Sequence, residues 1–175
     1  RGGCIAFIFC FIRLCRVGWL YMTNDEKTGF RGLGIAPGVL DALGRLGFVT
    51  PTPIQEQSIP IAVEGKDLMG IAQTGTGKTL AFGVPLIQRI LQGRGIGLVI
   101  APTRELAQQI EETIRKVGGP LGIKTATLIG GEAIGRQIRD LYRHPQIIIG
   151  TPGRIIDHME QKTISLKSVS VLVLD

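Results

Sequence analysis

Ala72-Gln73-Thr74-Gly75-Thr76-Gly77-Lys78-Thr79 lies between an apolar run and a helical pattern, and its reading decides the fold. With no Cβ at Gly75 and Gly77 the backbone can turn tightly and aim several N–H groups at one point, where the N-terminal dipole of the following helix adds positive potential. Such a loop cradles phosphate. Lys78 supplies a point charge for the phosphate oxygens, and the Thr79 hydroxyl is placed to coordinate the Mg²⁺ that accompanies a nucleoside triphosphate. The usual pattern opens with Gly five residues before the Gly-Lys pair, whereas here that position is Ala72.

Working outward, apolar runs alternate with amphipathic ones. Strands are expected near Asp67 to Ile71, Ile96 to Ala101, Lys124 to Ile129, Gln146 to Ile149 and Val169 to Leu174. Helices are expected from Lys78, from Arg104 with Leu106, Ile110, Ile114 and Val117 on one face, from Glu132 with Ile134, Ile138 and Leu141, and from Gly153. Pro85 should bend the first of these. Two short helices precede the loop, Pro37 to Gly47 with Leu40, Leu43 and Leu46 at helical spacing, and Pro53 to Val63.

Near-continuous Ile/Val/Leu strands alternating with helices imply an α/β fold, a doubly wound, mostly parallel sheet covered on both faces. Ligands of such sheets sit beyond the carboxyl ends of the strands. The polar segments that follow the strands are Ala72 to Thr79, Pro102-Thr103-Arg104, Gly130-Gly131, Thr151-Pro152-Gly153-Arg154 and Asp175, so all should face one crevice.

The formal charge of +6 and pI near 9.6 would suit an anionic partner, yet Arg1, Arg13 and Arg16 carry three of those charges and no acidic residue precedes Asp25. Overall charge is therefore a weak argument for nucleic acid, and local basic positions must carry it. Cys4, Cys10, Cys15 and Trp19 also fall before Met22. The apolar run from Cys4 to Ile12 is too short to span a membrane, which takes about 20 residues. Charge follows this run and no small-x-small cleavage site is visible, so a secretory signal fits poorly. Residues 1–21 are accordingly expected to lie outside the functional protein, as upstream translation or a cloning scar. Residues 22–63 form a region of short helices and residues 64–175 the nucleotide domain. Because no cysteine follows Met22, a reducing, cytoplasmic setting is expected.

Taken in order, these loops resemble the first RecA-like domain of a DEAD-box ATP-dependent RNA helicase, a P-loop NTPase, over Phe30 to Asp175. The carriers are Gly47-Phe-Val-Thr-Pro-Thr-Pro-Ile-Gln55 with Phe30 upstream, Ala72 to Thr79, Pro102-Thr-Arg-Glu-Leu-Ala107, Gly130-Gly131, Thr151-Pro-Gly-Arg154 and Val-Leu-Val-Leu-Asp175. Ala72 is the usual first residue of this family's phosphate loop.

The resemblance implies an ATP site built from Phe30, Thr52, Gln55 and Ala72 to Thr79, with Lys78, Thr79 and Asp175 in catalytic roles and Thr79 and Asp175 toward Mg²⁺. Gln55 would read adenine, since a carboxamide donates and accepts in the sense that N6 and N7 require. Phe30 would stack on the base, although a lone Phe near a terminus otherwise reads as a core residue. Pro102, Thr103, Arg104, Gly130, Gly131, Thr151, Pro152, Gly153 and Arg154 fall on the family's RNA-backbone contacts, while by themselves Thr103 and Thr151 read as helix caps and the Pro-Gly pair as a turn.

Asp175 would be the first residue of Asp-Glu-Ala-Asp. The Glu expected as general base and a second RecA-like domain with its arginines lie beyond these residues, so this chain alone is expected to hydrolyse ATP negligibly. His144 and His158 have no metal-ligand spacing and read as surface residues. A DNA helicase or translocase core and a non-catalytic nucleotide-binding module are the competing readings. Replacing Gln55 with Ala should weaken ATP binding severalfold in a fluorescence titration; unchanged affinity with equal GTP binding would count against adenine recognition.

Overall fold

The computed structural model describes residues 9–10, 29–73, 75–93 and 95–175, with the side chains of Phe9 and Cys10 excepted. Thr74 and most of the leader, including Cys4, Cys15 and Trp19, lie outside the described residues. Four parallel strands form the sheet: β3 (Ile96–Ile100), β4 (Thr125–Leu128), β5 (Ile147–Gly150) and β6 (Val169–Leu174), in the order β4-β5-β3-β6. β3 pairs on one side with β5, from Gly97 opposite Ile147 to Ile100 opposite Gly150, and on the other with β6. The remaining strands are β1 (Phe9–Cys10) and β2 (Met69–Gly70), which pair antiparallel with each other outside this sheet.

The expected strand from Asp67 to Ile71 is therefore cut to two residues and takes no part in the parallel ladder. Leu68 packs against the larger core, but Met69 is 63% and Ile71 65% exposed, so little apolar burial holds this segment in the ladder. Phe9–Cys10 of the leader supply the one described partner of Met69–Gly70.

Alternation along the strands sorts their side chains onto two faces. Val99, Ile147, Ile149, Val171 and Val173 point into the larger core with α1 (Pro37–Arg45), α2 (Pro53–Val63), α3 (Lys78–Gln92) and α4 (Arg104–Gly118). Leu98, Leu128 and Ile148 point the other way, against Ile155 of α6 (Pro152–Glu160) and Leu141 of α5 (Ile134–Leu141). β5 is buried along its whole length, as befits a strand with paired neighbours and covered faces.

Several local details depart from the sequence pattern. In α1 the buried face is Val39, Ala42 and Leu43, while Leu46 at the helix end is 40% exposed. α3 is one continuous helix through Pro85, and residues 80–88 are buried against the core. α5 begins at Ile134 rather than Glu132 because Ala133, with ψ of 120°, is extended and serves as the N-cap. Gln88, deep in α3, accepts from the Ala36 amide at 2.7 Å and donates to Gly34 O at 3.1 Å, which fastens the approach to α1 onto the central helix.

Ile149 is fully buried at the centre of the larger core. Replacing it with Ala should cost about 2–5 kcal/mol in denaturant unfolding, whereas Leu46→Ala should stay within about 0.5 kcal/mol. Comparable losses at the two positions would contradict this core assignment.

Candidate functional site

Parallel pairing brings the carboxyl ends of β3, β4, β5 and β6 to one edge, where the expected polar loops converge. The phosphate loop joins them there. Burial lowers the pKa of the Lys78 ammonium below its ordinary value and the carboxylate of Asp175, after β6, opposes that effect, so the two groups lie within electrostatic reach. The ladder carries the chain to this point, with the Asp175 amide donating to Ile100 O at 3.0 Å.

Gly77 caps α3 in the left-handed region, with φ of 86°. Its carbonyl accepts from Gln55 Nε2 at 2.9 Å, and Gln55 Oε1 accepts from the Thr52 amide at 3.0 Å. A Cβ at Gly77 would collide with the Gln55 carboxamide and sit 3.2 Å from Thr52 Oγ1. Glycine is required here both by conformation and by the close approach of α2. Within the loop, Thr76 Oγ1 donates to Gln73 O at 2.7 Å and Lys78 Nζ to Ala72 O at 3.1 Å. Thr79 sits half-buried in the first turn of α3.

Two of the predicted base contacts look different in three dimensions. Phe30, in the short helical turn Gly29–Leu33, is 5% exposed and belongs to the larger core. Gln55 is 3% exposed and each end of its carboxamide is engaged within the chain, one further valence remaining at each atom.

The site fits a metal-bound triphosphate on internal evidence. Asp175 Oδ1 and Thr52 Oγ1 are buried without a hydrogen-bond partner, and buried polar atoms of this kind are costly unless a ligand or water completes them. Magnesium is held through one or two carboxylates together with substrate phosphates, so the half-buried Asp175 beside a phosphate loop suits it.

Beside this site opens a cleft of about 540 Å³ lined by residues of the loops after β3, β4 and β5. Thr103 caps α4, its Oγ1 accepting from the Leu106 amide at 3.2 Å. Thr151 precedes α6 but makes no such side-chain bond, so the plain capping reading holds for Thr103 and fails for Thr151. Pro152 takes the first helical position, which leaves the amides of Gly153 and Arg154 at the open end of α6. The Arg104 guanidinium lies over Gly130 and Gly131, so close that a Cβ at Gly131 would strike Nη1. Arg154 is mostly buried, and its Nη1 donates to Glu132 O at 3.0 Å. Two guanidinium groups and a free helix N-terminus together make a receptor for phosphate oxygens.

His144 is exposed, as expected. His158 is not: it is completely buried and bonded to Gln137 and Thr163. Position i+4 after Arg154 places it under the cleft, a relation that helical spacing could have indicated but that burial alone decides. Gln137, 1% exposed, was missed for the same reason.

These features agree with known proteins. The family model "DEAD/DEAH box helicase" matches residues 52–175, so the chain belongs to the DEAD/DEAH box helicase family. It is 49% identical over 150 residues to the DEAD-box ATP-dependent RNA helicase CshA of Bacillus cereus, across 85% of this chain and 29% of that protein. The crystal structure of a DEAD box protein from Methanococcus jannaschii superposes with a TM-score of 0.71 at 35% identity, covering 83% of this chain and 40% of that one. A hypothetical ATP-dependent RNA helicase from Sulfolobus tokodaii gives 0.69 at 31% identity, covering 77% and 39%. The fold is thus RecA-like, and the chain spans less than half the length of each of these relatives.

Burial raises the pKa of the Asp175 carboxyl, and Lys78 opposes that rise in part. A folded-state value above the unfolded one makes the ionised group a burden at neutral pH that lightens as pH falls through the raised value. Asp175→Asn should therefore raise the midpoint of thermal unfolding of the unliganded chain at pH 7, by a margin that shrinks on acidification. It should also weaken Mg²⁺-dependent nucleotide binding. A lower midpoint at pH 7 would contradict the electrostatic assignment.

Proposed function

We propose that this chain is the ATP- and RNA-binding first core domain of an ATP-dependent RNA helicase, which with a second RecA-like domain separates short RNA duplexes. The observation that carries this reading is the juxtaposition, at one sheet edge, of a phosphate loop and a cleft lined by Arg104 and Arg154. ATP chemistry at the first can then act on a nucleic-acid backbone held at the second.

Lys78 and the loop amides around Gly75 and Gly77 bind the β- and γ-phosphates, while Thr79 and Asp175 hold Mg²⁺. The bound metal supplies neutralisation of charge developing on the phosphates. Gln55 ties α2 to the loop through Gly77 O and reads adenine with its remaining valences. Thr52 lies against the same loop, and its unpartnered hydroxyl is available to a ligand. Phe30, packed in the larger core, offers its ring to the base.

In the cleft, Pro102, Thr103 and Arg104, Gly130 and Gly131, and Thr151 to Arg154 meet the RNA backbone. Guanidinium groups, hydroxyls and helix amides recognise phosphates and are blind to base identity. No aromatic side chain lines the cleft among the described residues, so binding should discriminate little between sequences. A cytoplasmic setting accords with this role.

The test uses the 175-residue chain and two probes, a fluorescent ATP analogue with Mg²⁺ and a short single-stranded oligonucleotide as RNA or DNA. Lys78→Ala removes a charged donor worth about 1.5–3 kcal/mol and should weaken nucleotide binding by about tenfold or more while leaving RNA affinity in place. Arg154→Glu should do the reverse. A chain that binds neither probe, or that prefers the DNA oligonucleotide, would overturn this assignment.

A further inference from the structure

Beneath the cleft lies a chain of polar side chains that the phosphate-contact residues do not explain. Gln137 of α5 and His158 of α6 are 1% and 0% exposed, in a layer otherwise filled by Leu128, Ile148 and Ile155. Polar groups at that depth are costly unless every one is paired, and here the pairing is nearly complete. Gln137 Nε2 donates to Ile129 O at 2.8 Å, at the end of β4. That bond fixes the amide orientation and turns Oε1 toward α6. Oε1 accepts from Arg154 Nη1 at 3.1 Å and faces His158 Nε2 at 3.0 Å. A carbonyl oxygen can only accept, so His158 Nε2 carries a hydrogen.

On the far side of the ring, Nδ1 lies 2.7 Å from Thr163 Oγ1, just beyond α6. Burial, reinforced by the Arg154 cation and opposed by Asp157, holds the imidazole below its ordinary pKa and therefore neutral at pH 7. Thr163 Oγ1 also donates to His158 O at 3.0 Å, so its one hydrogen is shared between that carbonyl and the unprotonated Nδ1, and the ring links the Thr163 hydroxyl to the Gln137 carbonyl. The same guanidinium is gripped from two other directions: Nη1 donates also to Glu132 O, and Nε lies 3.3 Å from Asp157 Oδ2, without hydrogen-bond geometry.

We propose that Gln137, His158 and Thr163 are positioning residues that pre-order the Arg154 guanidinium for a backbone phosphate of bound RNA. This rests on the reading of the cleft as an RNA interface and adds residues that touch no ligand. Arginine has among the largest rotamer freedoms of any side chain, and losing it on binding weakens affinity. Holding the guanidinium in place beforehand removes that loss. The network also joins the end of β4, α5 and α6, so the loops that shape the cleft share one support.

Fluorescence anisotropy with a labelled oligouridylate, on the full 175-residue chain, tests the proposal through a double-mutant cycle. His158→Leu should weaken RNA binding by about three- to tenfold, the range of coupled neighbours. His158→Gln, which returns an N–H near the position of Nε2, should restore affinity to within about twofold of the original. In the background of Arg154→Ala, His158→Leu should cost nothing further; losses that multiply would overturn the positioning role. If His158→Leu is unfolded at the assay temperature, Thr163→Val carries the same cycle with a smaller expected loss. A second readout needs no RNA: the Arg154 guanidinium NMR signal should be sharp and slow to exchange in the original chain and in His158→Gln, and broadened in His158→Leu or Thr163→Val. An unchanged signal in these last two overturns the proposal. If Arg154→Ala leaves RNA affinity intact, the interface reading fails instead and pre-ordering for RNA falls with it, while the NMR signal still reports whether His158 orders Arg154.

Discussion

Everything at the functional edge depends on the parallel ladder of β5, β3 and β6. Parallel strands start and end together, so each crossover helix returns the chain to the same side and each strand delivers its next residue to the same edge. Thr103, Thr151 and Asp175 are far apart in sequence, yet each follows its strand by one to three residues. The ladder is stable because it is dry: Val99, Ile147, Ile149, Val171 and Val173 face one helical layer and Leu98 and Ile148 the other. The side chains that fill the two cores are apolar, and the functional groups follow at the strand ends.

The site itself is locally unfavourable. Burial lowers the pKa of Lys78 and raises that of Asp175, and Asp175 Oδ1 and Thr52 Oγ1 lack partners. A structure selected only for stability would fill such positions with apolar groups. A site built to bind an anion and a cation together leaves these valences for the ligands, at a cost in stability that the two cores offset. Gln55 shows how rigidity is kept despite this cost, since one carboxamide holds both the start of α2 and the carbonyl at the head of α3.

What could be read from the chain directly was whatever repeats at short range. The face of α4 made by Ile110, Ile114 and Val117 is buried as its spacing required, and Thr103 caps the helix as its residue type and position indicated. Four of the five expected parallel strands formed within a residue or two of their expected limits. The segment at Met69–Gly70 failed because an apolar pentapeptide shows that a strand is possible, not what will pair with it. The surface reading of His158 failed in the same way: one isolated histidine carries no period, so nothing local tells a core position from a surface one.

The sequence by itself determined the α/β class, the identity of the phosphate loop, and the set of polar segments that must gather at one edge, because period, glycine placement and strand composition are local properties. Only the tertiary structure decided that Phe30 is packed inside, that Gln55 binds the phosphate loop, and that Gln137 and His158 lie beneath Arg154. Those facts depend on which helices meet across the sheet. Contact between residues separated by twenty or more positions is set by packing of the whole core, and no window of sequence contains it.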